Sequence, residues 1–141
     1  LLTTRRHAED ALQKELSDAK RALTAEQALL RESRETRRRS LAELHRRQGE
    51  GFRAPDLALF ASYLNRLARD IDARLKRVAA AERRVNQQRL LVVEAMKQRK
   101  VLEKLREKDE REFLETLAVN ERKFIDEVAT GRHARAAGHP R

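Results

Sequence analysis

The sequence predicts an all-α protein, an antiparallel two-helix coiled-coil hairpin with a longer C-terminal helix. Three observations predict it. Charged residues make up 40% of the 141 positions and aromatics only 4%, a balance suited to long helices rather than to a globular core. Apolar residues recur at helical spacing through two long stretches. Between those stretches lies "RRQGEGFRAPDLALF", residues 46–60, where Gly49, Gly51 and Pro55 fall within seven residues.

The first helix is expected over about 3–48. Leu16, Leu23, Leu30, Arg37 and Leu44 fall seven apart, with Leu12, Ala19 and Leu41 on nearly the same face. This stripe is narrow, about two apolar positions in seven, and suits one partner helix. No Gly or Pro interrupts it.

The turn is expected at 49–54. Pro55 fits the first turn of a helix, where its missing N–H does no harm, and Asp56 favours the positive helix end. The second helix is expected over about 55–130. Phe60, Leu64, Leu67, Ile71, Leu75, Val78 and Val85 form its first stripe. Leu91, Leu102, Phe113 and Phe124 then fall eleven apart, as do Leu117 and Val128, a period that relaxes left-handed supercoiling. Gly131 is expected to end the helix, leaving 131–141, "GRHARAAGHPR", as a flexible basic tail. Residues 1–130 are thus expected to form one hairpin domain.

Folding about residue 52 places residue i opposite roughly 104 − i. Leu44 then meets Phe60, Leu30 meets Leu75, Leu12 meets Val92, and Arg37 meets Leu67, where it fixes register or snorkels to water. Beyond about residue 103 the second helix finds nothing to pair with, yet Leu105, Phe113, Leu117, Phe124, Ile125 and Val128 continue an apolar stripe. An unpaired stripe implies burial against something else.

Charge is uneven along the chain. The net charge is +10. Residues 57–108 carry +8 of it, whereas 109–127 carry −4. No run approaches the roughly 20 apolar residues needed to span a bilayer, and no signal-peptide pattern is read. The chain opens on Leu1 rather than Met, so a few natural N-terminal residues are expected to be missing. The lack of cysteine removes disulfides, thiolate metal sites and a Cys nucleophile, and is compatible with the cytoplasm.

Chemistry-bearing constellations are not found. His7, His45, His133 and His139 lack the spacing of a helical zinc site. "GEGF" has no following Lys-Ser/Thr and reads as a turn, not a phosphate loop. Asp70 with Asp72, and Asp109 with Glu110, read as solvated helix-face charges, and a two-helix rod offers no water-excluding pocket. No catalytic, cofactor-binding or metal residue is assigned, no small-molecule substrate is expected, and the protein is not read as an enzyme. Arg37–Arg38–Arg39 and Arg83–Arg84 could meet phosphate. Their lack of interleaved aromatics and their alternation with acids favour a salt-bridged solvated face over nucleic-acid binding.

Three stretches carry a resemblance: "LFASYLNRLARDID" (59–72), "RKVLEKLREKDEREF" (99–113) and "ERKFIDEVATGR" (121–132). Over about residues 1–132 the chain resembles the FliJ family of flagellar export proteins and the related YscO group of type III secretion. The most family-like element is Asp126, Glu127, Val128 and Ala129. The resemblance implies a cytoplasmic coiled coil similar to the central stalk of rotary ATPases, peripherally associated with the inner face of the membrane at the export apparatus. It implies as partners the hexameric export ATPase, the cytoplasmic domain of the membrane export gate, and export chaperones that the protein escorts. The gate contact it implies maps to Tyr63, Leu67, Asp70 and Arg74. Tyr63 and Leu67 match the expected character; Asp70 and Arg74 do not clearly match. The stripe Leu105, Phe113, Leu117, Phe124, Ile125 and Val128 is expected to meet the ATPase ring. The alternative is a free-standing basic coiled-coil scaffold that dimerises or binds nucleic acid.

Overall fold

The computed structural model describes residues 1–137, and it contains two helices, α1 (Leu2–Glu50) and α2 (Ala54–Ala137). Among the described residues only Leu1 and 51–53 lie outside them, and there is no strand. The all-α expectation therefore holds. The described chain divides into two compact units, one comprising Thr3–Met96 and the other Leu1–Leu2 with the described residues from Lys97 onward.

The first unit is the hairpin. Reversal needs a residue free of the Cβ penalty, and Gly51 supplies it at φ 91°, in the left-handed region. α1 continues through Gly49 to Glu50, slightly past the expected end. Arg53 caps α2: its carbonyl accepts the first helical hydrogen bond, from the Leu57 amide at 3.0 Å. Pro55 is therefore the second helical residue rather than the first, still inside the turn whose N–H groups are unpaired in any helix. Phe52 stacks edge-on against Phe60 at 6.1 Å, and Phe60 against Tyr63 at 6.4 Å, a geometry that the ring quadrupoles favour.

The seam is built by a step of four and three. In α2 the covered positions are Phe60, Leu64, Leu67, Ile71, Arg74, Val78, Ala81, Val85, Gln88 and Val92. In α1 they are Leu12, Leu16, Ala19, Leu23, Glu26, Leu30, Ser33, Ser40 and Leu44. This 3.5-residue average is the coiled-coil period. Leu30, Ile71 and Val78 form the buried cluster, with Leu23 packed against it.

The register is polar in the middle. The Ser33 hydroxyl donates to Asp70 Oδ2 at 2.8 Å and accepts from Arg74 Nε at 3.1 Å. Both pairs agree with folding about residue 52. Leu75 was expected opposite Leu30, but it is 39% exposed, and Arg74 takes the seam position instead. The aliphatic stem of Arg74 can lie along the seam while its head stays hydrogen-bonded at the edge. Leu41 likewise leaves the seam and is 41% exposed. Arg37, expected in the seam, is exposed, as a snorkelling side chain would be.

The seam is thin. Among the described residues no large side chain is fully buried. Glu26 Oε2 and Gln88 Oε1 are buried without a hydrogen-bond partner, a loss of roughly 1–3 kcal/mol per such group.

Outside the seam, α1 is stapled along its own surface. Glu35 accepts from Arg38 at 2.6 Å and Arg39 at 3.1 Å, and Glu43 from Arg46 at 2.6 Å and Arg47 at 2.9 Å. Solvent screens such exposed pairs, so each adds little to stability.

The second unit contains the remainder of α2. Gly131 does not end the helix, which runs to Ala137. Gly131 is not among the positive-φ residues, so it makes no left-handed cap. A helical Gly costs about 1 kcal/mol, and the Arg- and Ala-rich sequence after it has the highest helix propensity available. The expected flexible tail of 131–141 therefore begins as helix, and its last four positions lie outside the described residues.

Candidate partner-binding surfaces

Tyr63, Leu67, Asp70 and Arg74 lie on one face of α2 because their spacing of four, three and four returns to the same side of a helix. That face borders the seam. Leu67 and Arg74 are half-buried within it, whereas Tyr63 and Asp70 are exposed at its edge. Asp70 and Arg74 are drawn together, Arg74 Nε lying 3.6 Å from Asp70 Oδ2, with Ser33 between them. Part of this set thus holds the hairpin together, and Tyr63, braced by Phe60, is its most accessible large apolar member.

The distal part of α2 behaves differently. Every residue from 104 to 130 is exposed. Leu105, Phe113, Leu117, Phe124, Ile125 and Val128 all belong to this run, and Phe113 and Phe124 are 64% and 67% exposed. Val101, Leu114 and Val119 widen the apolar surface. Reasoning from the eleven-residue spacing missed them, because that spacing selects only the centre of the face. Val101 and Leu105 share a shallow apolar groove with Lys104, Glu107, Lys108 and Arg111. A second groove gathers Phe124, Glu127, Val128, Gly131, Arg132 and Arg135.

A third surface is basic. Arg34, Arg37, Arg38, Leu41 and Ile71 line a groove along the hairpin seam. Arg38 is tied to Glu35. Arg34 and Arg37 have no ion-pair or hydrogen-bond partner among the described residues. In sequence the Arg37–Arg38–Arg39 run reads as a salt-bridged face. That is true of Arg38 and Arg39 but not of Arg37, whose position on the helix no composition signal resolves.

Among the described residues no group of three or more His, Cys, Asp or Glu is placed to hold a metal ion. Among the described residues no helix is long and apolar enough to cross a membrane.

No curated protein and no solved structure matches the chain. The family described as flagellar FliJ protein matches residues 1–138. A match of that extent covers both arms of the hairpin, the turn and the exposed distal helix together. The chain therefore belongs to the flagellar FliJ protein family, and is a flagellar export-related protein.

Proposed function

We infer that this protein is a stalk-like coiled coil of the flagellar export apparatus, whose distal α2 segment engages the ring of the hexameric export ATPase. The observation that carries this reading is the unbroken exposure of residues 104–130 together with their apolar face. Exposed apolar surface of that extent is characteristic of interaction sites, and large aromatics such as Phe113 and Phe124 are the side chains that dominate binding energy. The acidic excess of residues 109–127 adds a charged component suited to a basic pore lining. A smooth apolar stripe makes contacts of low specificity, so a single helix can be accommodated by six equivalent subunits.

In the same reading, the face bearing Tyr63 and Asp70 contacts the cytoplasmic domain of the export gate, with Leu67 and Arg74 setting the geometry from within the seam. The protein also escorts export chaperones and resides at the inner face of the membrane through these partners.

The test uses the full chain and the purified ATPase. Phe113→Ala with Phe124→Ala is expected to weaken ATPase binding roughly tenfold or more and to leave the thermal midpoint unchanged, since both side chains are exposed. Normal ATPase stimulation by a double variant with a sharply lowered midpoint would mean that the face packs within the chain, and the reading would fail. Tyr63→Ala is expected to weaken binding to the gate domain while sparing the ATPase.

A further inference from the structure

The basic groove of the hairpin and the acidic apolar face of distal α2 are chemically complementary, and each is left open. In the groove, the Arg34 and Arg37 guanidiniums have no partner among the described residues and border Leu41, which is 41% exposed, and Ile71. On distal α2, Phe124 is flanked three residues before and three after by Glu121 and Glu127, with Val128 on the same side. Glu121 and Glu127 likewise have no partner among the described residues. Glu110 and Glu112 are engaged by Arg106 and Lys108, whereas Asp109, Glu115 and Asp126, like Glu121 and Glu127, have no such partner among the described residues.

The spacings are compatible. Glu121 and Glu127 are separated by about 9 Å along the helix axis, and Arg34 and Arg37 by about 4.5 Å. Arginine side chains reach far enough to close the difference.

We propose that distal α2 of one copy docks into the basic groove of a second copy of this chain. Phe124 and Val128 cover Leu41 and Ile71, and Glu121 and Glu127 meet Arg34 and Arg37. The contact shields the exposed face when no other partner covers it, and it competes with any ligand that takes the same face. It does not depend on the ATPase reading, because it is defined by two surfaces of this chain alone.

A charge exchange tests it with no other protein present. By sedimentation equilibrium, the wild-type chain is expected to rise above its 16.4 kDa monomer mass as concentration increases. The association is expected to weaken about tenfold or more when ionic strength rises from about 0.1 M to about 1 M, which shortens the screening length from about 10 Å to about 3 Å. Arg34→Glu with Arg37→Glu, and separately Glu121→Arg with Glu127→Arg, are each expected to be monomeric. Mixing the two variants makes both contacts complementary, one with the native charges and one with them exchanged, and is expected to restore association. All four side chains are solvent-exposed, and circular dichroism is expected to show unchanged helicity. A wild-type chain that stays at the monomer mass throughout would overturn the proposal. So would variants that associate as the wild type does, or monomeric variants that fail to combine on mixing.

Discussion

Removing the side chain of Leu30 distinguishes the observed seam from the one a simple reflection about the turn gives. Leu30 is 7% exposed and clusters with Ile71, Val78 and Leu23. Truncation of a buried leucine to alanine costs about 2–5 kcal/mol, depending on how far the surroundings collapse. Here solvent lies on both flanks of a two-helix seam, so collapse is easy and Leu30→Ala is placed at about 2–3 kcal/mol. A domain of this size gains or loses roughly 4–8 °C of melting temperature per kcal/mol, so the midpoint is expected to fall by roughly 10–20 °C. Leu75→Ala is the control. Leu75 is 39% exposed, so it forfeits only part of a leucine's transfer energy, about 1 kcal/mol. Thermal and urea unfolding of both variants, followed by circular dichroism, measure the difference. Equal losses, or a larger one for Leu75→Ala, would place Leu75 rather than Arg74 in the seam and refute the register.

Ser33→Ala removes the hydroxyl that joins Asp70 and Arg74 and is expected to cost about 1 kcal/mol by urea unfolding, with the cost vanishing in an Asp70→Ala, Arg74→Met background. Gly51→Ala meets no atom within 4 Å, so its cost is backbone strain alone, about 1–2 kcal/mol; Asn at the same position is expected to recover part of it. Acid should loosen α1 within a defined window. The hydrogen bond from Arg38, supported by Arg39, lowers the Glu35 carboxyl from 4.5 to about 2, and that from Arg46, supported by Arg47, lowers Glu43 equally. Because the folded values lie below the unfolded one, the stabilisation is present above pH 4.5 and is lost as pH falls towards 2. Both carboxylates are solvent-exposed, so the effect is small; Glu35→Gln with Glu43→Gln is expected to reduce the loss of thermal midpoint between pH 5 and pH 2.

The turn was legible because it is written in backbone chemistry: Gly51 alone can adopt its φ without penalty, and Pro55 tolerates only the first turn of a helix. The leucines at 16, 23, 30 and 44 announce α1 for a similarly local reason. Two features were not legible. Gly131 carries the residue type of a helix stop, but a stop also needs a chain that leaves in the left-handed conformation, and Arg- and Ala-rich sequence continues the helix instead. Leu75 and Arg74 both fit a stripe of three and four, and only the opposing Ser33 decides between them. Of the candidate surfaces, the apolar positions of distal α2 could be read from spacing. The open guanidiniums of Arg34 and Arg37 could not, because pairing of Glu35 with Arg38 and Arg39 rather than with other neighbouring arginines is decided by side-chain geometry.

The thinness of the seam has a thermal consequence. The heat-capacity change of unfolding follows the apolar surface exposed, about 0.45 cal/K/mol for each Å². A hairpin whose buried apolar set is Ala19, Leu30, Ile71, Val78, Val85 and Val92 exposes little when it opens. Its free energy of unfolding therefore varies gently with temperature, so the chain resists cold as readily as moderate heat.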